Sequence, residues 1–334
     1  MLAYLRHVVV FLIFTCSVHL DAEIIRRAAF DFGSGKIKVQ VADVDTESHK
    51  ILQSLYAEDI VVQLSEDAAQ HPEGQFSEKI KKQAIAATQS LKQKALALGA
   101  VEFSGVATEA YRKAPNSKEL IAKYLSDLDI PVKIISQTEE GKSGFLALIA
   151  ETNLDPDQVI SWDIGGGSFQ VTYLDDEGNI QVYMAPFGRS TAKNAIIRYV
   201  KAGDPSTMSS PNPMSRADWE ASLLFFDEAL PKVPEELAQK LKRCDVQLIG
   251  ISAHPGKLRN VKAYHSTDIV IVLEERLNKS DSELAEIHKS PTYAISELAL
   301  VYSIMQKLDV RTVNYVRTIS GSSSAVLIAE EYWN

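Results

Sequence analysis

Two short stretches, Asp31-Phe32-Gly33-Ser34 and Asp163-Ile164-Gly165-Gly166-Gly167-Ser168, carry an acid, glycine and a hydroxyl in the same order, 132 positions apart. Lacking a Cβ, glycine lets successive backbone N–H groups close around an anion as a concave nest. An aspartate beside such a turn can organise a hydrated Mg2+ that bridges phosphate oxygens. Gly33, Ser34, Gly35, Gly165, Gly166, Gly167 and Ser168 are therefore candidate phosphate ligands. Asp31 and Asp163 are candidate ligands of Mg2+, with Mn2+ as a substitute. A lone Asp-x-Gly is a common hairpin turn; its recurrence at domain spacing is what points to a ligand.

Water attack on a phosphoanhydride also needs a base. Ser136 and Glu139 stand at capping-box spacing where a helix over 139–151 is expected to start. Ser136 can accept from the N–H of residue 139 while Glu139 reaches back. That occupies Glu139 and leaves Glu140 as the candidate catalytic carboxylate. Arg112, after an expected strand at 101–107, can clamp a phosphate through parallel N–H donors, and strand ends are where α/β sheets place ligand groups. Loops 188–190 and 252–257 are lesser candidates, with His254 expected to touch a base or a distal phosphate and tune substrate preference. Gly141-Lys142-Ser143 imitates the end of a P-loop. Ser136, however, stands where the first glycine is required, and Glu139 and Glu140 would lie inside the anion cradle. The histidines show no metal-ligand spacing and no Gly-x-Ser-x-Gly occurs, which excludes zinc chemistry and a nucleophile elbow.

These residues need a scaffold. The first turn closes a hairpin, since Ile37, Val39 and Val41 alternate with Lys36, Lys38 and Gln40. Helices are expected at 77–98 and 117–128 and strands at 101–107 and 132–136. The second turn opens a meander of strands at 159–163, 169–174 and 180–184. Helices at 190–201 and 216–242, strands at 246–251, 269–273 and 313–319, and helices at 291–308 and 322–332 complete the pattern. Residues 205–215, rich in Pro and Ser, read as an exposed loop or flap. The whole is α/β in two related halves, 23–138 and 139–334, each presenting a glycine turn to a shared cleft, with a last helix able to return to the first half.

With 334 residues, 46% of them hydrophobic and 24% charged, the chain exceeds what one core supports and is neither disordered nor disulfide-stapled. A net charge of −9 excludes a chain-wide grip on nucleic acid or anionic lipid, so phosphate must be gripped locally. Arg6 and His7, the largely apolar run 8–20 and Asp21-Ala22-Glu23 read as a secretory signal peptide over 1–22, too short to span a bilayer. The mature protein is then expected to be periplasmic or secreted, free of the membrane. Cys16 leaves with the leader, and Cys244 alone cannot form an intramolecular disulfide.

Asp31-Phe32-Gly33-Ser34-Gly35, Ala107-Thr108-Glu109-Ala110-Tyr111-Arg112, Ile135-Ser136-Gln137-Thr138-Glu139-Glu140 and Asp163-Ile164-Gly165-Gly166-Gly167-Ser168 follow one another as in a known family. The chain resembles the exopolyphosphatase/guanosine pentaphosphate phosphohydrolase (Ppx/GppA) family of the actin-like ATPase superfamily. The resemblance implies two actin-like, ribonuclease H-like domains with an interdomain cleft. It further implies Mg2+-dependent release of terminal phosphate from polyphosphate or a nucleoside tri- or pentaphosphate. By the same resemblance Glu140 is the catalytic glutamate, Arg112 a phosphate-binding arginine, the glycine turns the phosphate loops, and Asp31 and Asp163 the Mg2+-organising carboxylates. The expected partner is a polyphosphate or nucleotide substrate and not a nucleic acid; a homodimer is left open. The chain departs from the family at Gly35 (usually Asn), at Gly141-Lys142 (usually Ala-Arg) and at Gly250 to His254 (usually Gly-x-Ser-Gly-Thr), and the long C-terminal helical domains of larger members are absent. Those departures motivate a second reading, a phosphate-ligand binding or sensing protein without turnover. The Glu139-Glu140-Gly141 stretch with Phe145 also resembles secreted apyrases, whose disulfides this chain cannot form. A sugar-kinase type phosphotransferase ranks last, since it needs ATP and an acceptor.

Overall fold

The computed structural model describes residues 24–71, 73–152, 154–252, 254–255, 262–316 and 322–333. The expected leader at 1–22, and Ala253, Gly256 and Lys257 of the loop at 252–257, lie outside the described residues.

The first lobe opens with an antiparallel meander, β1 (Ile24–Phe32), β2 (Lys36–Asp45) and β3 (Lys50–Val61). Helices α1 (Leu64–Ala69) and α2 (Glu78–Ala97) lead to β4 (Glu102–Ala107), and α3 (Glu109–Lys113) and α4 (Ser117–Leu128) lead to β5 (Val132–Ile134). β4 and β5 run parallel to β1, because their helices supply the crossovers that parallel pairing demands. The strand order is β3-β2-β1-β4-β5.

After α5 (Gln137–Thr152) the same design recurs in β6 (Val159–Ile164), β7 (Phe169–Leu174) and β8 (Ile180–Ala185). Next come α6 (Arg189–Tyr199), α7 (Arg216–Ala229), α8 (Glu235–Lys240), β9 (Gln247–Ser252), β10 (Ala263–His265), α9 (Ser266–Glu274) and α10 (Asp281–Ala285). The chain closes with α11 (Ser296–Lys307), β11 (Thr312–Tyr315) and α12 (Ser323–Ile328). Read from the opposite edge, the second sheet is β8-β7-β6-β9-β11, with β10 added at the end. It repeats the first sheet strand for strand, so β1 and β6 are equivalent.

Each sheet is covered on both faces. In the first lobe Phe30, Phe32, Ile37 and Val39 bury against Ile80, Leu91, Leu120 and Tyr124 of α2 and α4. The opposite face, with Ala29, Ala42, Val44 and Val106, is capped by Val326 and Leu327 of α12. In the second lobe α6, α7, α9 and α11 build the larger core, while Phe145 and Leu148 of α5 cover the other face against Val159, Ile249 and Ile251. The helix that leaves the first lobe thus packs on the second sheet, and the last helix of the second lobe packs on the first. Arg27, 2% exposed, fastens this return by donating to Glu102 and Glu330 at 2.8 Å while lying over the Trp333 ring. An Arg so desolvated stays only because both carboxylates compensate it.

Several expectations are corrected. β3 escapes a period-2 reading because it is an edge strand with no fully buried residue and its pairing with β2 shifts twice, between Val41 and Ala42 and between Asp43 and Val44. The run expected as a strand at 269–273 is helical. Asp268 accepts from the His265 N–H at 2.7 Å at the helix start, and Ile269 and Leu273, one turn apart, are both buried. Residues 205–215 are anchored rather than free: Met214 is fully buried and accepts from the Asn278 N–H, and Ser210 and Asn212 both donate to Asp281 at 2.8 Å.

Candidate active site

The two glycine turns are built alike. In the first, the Gly33 N–H donates to the Lys36 carbonyl at 2.9 Å; in the second, the Gly165 N–H donates to the Ser168 carbonyl at 2.8 Å. Both turns are held from behind by their carbonyls. Val62 and Ser65 N–H groups take Gly35 and Ser34, while Arg189 and Ser190 N–H groups and the Thr191 hydroxyl take Gly165, Gly166 and Gly167. Among the described residues, no protein acceptor takes the amides of Ser34, Gly35, Gly166 or Gly167. The turns meet across the lobes: a Cβ on Gly166 would fall 2.8 Å from Ser34 Cβ. Both therefore border one cleft.

Glu109, which the sequence reading quoted in its motif without giving it a role, stands between them. Its Oε2 accepts from Ser34 Oγ at 2.8 Å and Ser65 Oγ at 3.2 Å, its Oε1 from Lys113 Nζ at 2.5 Å, and a Cβ on Gly167 would fall 1.8 Å from it. The signal is its place as the second residue past a strand end, three positions before Arg112. The hydroxyl of Ser168 accepts from Gln170 Nε2 at 3.0 Å, which holds the second turn in shape.

The Ser136–Glu139 capping box forms as expected, with Glu139 Oε2 accepting from the Ser136 N–H at 2.7 Å and Ser136 Oγ accepting from the Glu139 N–H at 3.1 Å. The next residue, Glu140, turns inward and is 8% exposed. Its helix lies unusually close to the second sheet: a Cβ on Gly141 would meet Val182 at 2.8 Å and Thr172 at 3.0 Å, so only glycine permits this approach. Arg112 Nη2 donates to Glu140 Oε2 at 2.9 Å, and Nη1 to the Ile135 carbonyl at 2.8 Å. Burial pushes the Glu140 carboxyl up to about 7, Arg112 opposing and the charges of Asp163 and Asp31 adding to the rise. A carboxylate poised there exchanges protons readily at neutral pH.

Asp31, 5% exposed, accepts from Lys38 Nζ at 3.1 Å. Burial would pull the Lys38 ammonium down, but Asp31 and Asp163 outweigh it and hold its pKa above the usual lysine value. Burial raises Asp163, with Lys38 opposing, and its Oδ1 has no hydrogen-bond partner among the described residues. In the sequence Lys38 shows only as a polar position of an alternating strand. The expected Mg2+ site is tested by this donor set. The ammonium bonds Asp31 and lies in the field of Asp163, and among the described residues no three His, Cys, Asp or Glu side chains group to hold a metal. Asp31 and Asp163 do not by themselves form a resident metal cage.

Two lesser candidates belong to the scaffold. His254, expected at the substrate, is 1% exposed; its Nδ1 lies 2.5 Å from Tyr264 Oη and its Nε2 3.0 Å from the Trp162 carbonyl, in the second lobe's interior. Gly188 lies behind the second turn, and Arg189 donates to buried Glu297 at 3.1 Å.

Residues 41–203 match the model of the Ppx/GppA phosphatase family. The match covers just under half of the chain, which is similar to that family over this stretch. Curated relatives include Exopolyphosphatase 1 of Mycobacterium tuberculosis, 24% identical over 164 residues, which cover 49% of this chain and 46% of the relative. Exopolyphosphatase 1 of Mycobacterium leprae is 22% identical over 163 residues, 49% of this chain and 47% of the relative. The match spans about half the length of these relatives. Among solved structures, a Ppx/GppA family member from Aquifex aeolicus superposes with a TM-score of 0.68 at 16% identity, covering 92% of this chain and 98% of its own. An exopolyphosphatase from Cytophaga hutchinsonii gives 0.69 at 16% identity, covering 90% and 96%. These neighbours carry the fold: an actin-like α/β architecture whose two lobes repeat one strand order.

Proposed function

We propose that this chain hydrolyses the terminal phosphoanhydride bond of a polyphosphate or nucleoside polyphosphate. The reading is carried by one observation: Glu140, buried and held at about 7, faces the cleft bordered by two turns whose Ser34, Gly35, Gly166 and Gly167 amides have no protein acceptor among the described residues. The match to the Ppx/GppA phosphatase family model and the curated exopolyphosphatase relatives support it. In this reading Ser34, Gly35, Gly166 and Gly167 amides and Arg112 hold the phosphates, and Glu140 takes a proton from water. The water oxygen bonds the terminal phosphorus as the bridging P–O bond breaks, and the shortened chain leaves with the bridging oxygen. The leader reading places this reaction outside the cytoplasm. The test is phosphate release from tripolyphosphate, longer polyphosphate and nucleoside triphosphates with and without Mg2+. Release no greater than that of the Glu140→Gln variant on every substrate removes the reading.

A pH–rate profile adds a discriminating prediction. Because Arg112 opposes the rise of Glu140, Arg112→Gln is expected to move the acid limb to higher pH, by on the order of one pH unit. A fall in rate with the limb unmoved would assign Arg112 to substrate contact alone.

A second reading, phosphate-ligand binding without turnover, is favoured by Glu109, whose carboxylate separates the two turns. Calorimetry showing tripolyphosphate binding, with no release on any substrate, would select it.

A further inference from the structure

The duplicated hairpins place four polar side chains by register. Asp31 lies directly across from Lys38 in the β1–β2 pair, and Asp163 directly across from Gln170 in the β6–β7 pair. Each partner follows its aspartate by seven residues, and directly opposed antiparallel residues hold their side chains within contact. The two partners are used differently. Gln170, 1% exposed, turns to Ser168 and locks the second turn. Lys38 turns to Asp31, feels the charge of Asp163 as well, and leaves 27% of its side chain open. Asp59 of β3 stands across from Lys38 on its other side, and Asp163 Oδ1 remains without a hydrogen-bond partner among the described residues.

Two carboxylates brought from opposite lobes into a low-dielectric cleft repel each other, and a phosphate chain entering beside them adds to the repulsion. Arg112 already gives one donor each to Glu140 and the Ile135 carbonyl, and the rest of its fork is what it offers a phosphate. Lys38 bonds Asp31 and feels the charge of Asp163 from the opposite lobe. An ammonium carries three donors, and the bond to Asp31 uses one, so donors remain for phosphate oxygens on the open side.

We propose that Lys38 is the resident cation of the cleft, bridging the aspartates of the two lobes in the position a divalent ion would take, so that the cleft binds a phosphate chain without a resident metal. Lys38 acts as a positioning residue: it sets the distance between Asp31 and Asp163, and therefore between the two glycine turns. A divalent ion, where one takes part, arrives on the substrate's own phosphates. The inference rests on the phosphate-site reading above and deepens it.

The test is calorimetric titration of imidodiphosphate, whose bridge resists hydrolysis, into the full chain in EDTA and in Mg2+. Wild type is expected to bind in EDTA. Lys38→Met is expected to bind at least tenfold more weakly in EDTA and to recover part of that loss with Mg2+, because the ion can enter between the freed aspartates. Lys38→Arg should retain metal-free binding. The proposal is overturned if wild type binds only with Mg2+, or if Lys38→Met binds in EDTA as wild type does. The wild-type arm decides even if Lys38→Met fails to fold. Absence of binding in both conditions by folded wild type would remove the phosphate reading and this proposal with it. Metal-free binding without phosphate release would leave Lys38 in place and remove only turnover.

Discussion

Glu140→Gln is expected to lower phosphate release by about 10²- to 10⁴-fold, the usual contribution of a positioned general base, and at the same time to make the folded protein more resistant to heat above neutral pH. The two effects share one cause. In the fold the Glu140 carboxyl is pushed up to about 7 from an ordinary value of 4.5, chiefly by burial. A group whose folded-state pKa is raised binds its proton more tightly in the native state. The stability this contributes is fully present below the unfolded value and is lost as pH rises through about 7. At pH 8 the ionised side chain, 8% exposed, therefore costs on the order of 3 kcal/mol against its protonated form. Glutamine keeps the shape and an oxygen for Arg112 but carries no charge. Melting curves at pH 5 and pH 8 should show a small gap between variant and wild type at the lower pH and a larger one, in favour of glutamine, at the higher. A variant melting below wild type at pH 8, or a gap independent of pH, would mean that the carboxylate is not held out of water. Release at wild-type rate would take Glu140 out of the chemistry.

The second large effect concerns Gly188→Ala. A Cβ there would stand 2.5 Å from the Gly165 carbonyl oxygen and 2.6 Å from Gly166 C and Gly167 N. These atoms are backbone, so no rotamer change relieves the clash; either α6 backs away or the second turn moves. Overpacking a tight site typically costs about 1–3 kcal/mol, and immovable backbone puts this case at the upper end or beyond. Retreat of α6 would also release the Arg189 and Ser190 N–H bonds that hold Gly165 and Gly166 from behind. Urea denaturation should show the loss, together with weaker binding of imidodiphosphate. Gly144→Ala is the control, because its added Cβ would meet only ordinary contacts, 3.5 Å from Asp163 Oδ2 and 3.6 Å from Ile251. Equal stability of the Gly188 variant and wild type would refute the wedged arrangement of α6 and the turn.

The departures from the family pattern gain physical content here. Gly141 lets α5 approach β7 and β8 closely enough to set Glu140 in the cleft wall. Gly35 brings its amide to the lobe contact, 3.6 Å from where a Cβ on Gly166 would lie. Gly250 and His254 of the altered segment are internal: a Cβ on Gly250 would fall 2.7 Å from the His254 ring, so the small residue makes room for the imidazole.

What the amino-acid order determined was local or repeated. The Ser136–Glu139 cap is a matter of three positions, the two Asp-x-Gly turns close within three, and the duplication is visible because each turn ends a buried strand and opens a hairpin. Signals of that reach survive without knowledge of distant contacts, which is why Glu140 and both turns could be picked out beforehand. Tertiary structure decided the remainder. Whether Ile269 to Leu273 pairs or coils, whether His254 meets ligand or core, what Lys38 neutralises and which turn Glu109 touches each depend on partners from 7 to 92 residues away or on the opposite lobe. A charged side chain in an alternating strand reads as solvent-facing until the second lobe's aspartate is brought beside it, because burial and electrostatic field are properties of the assembled cleft and not of the strand that carries the residue.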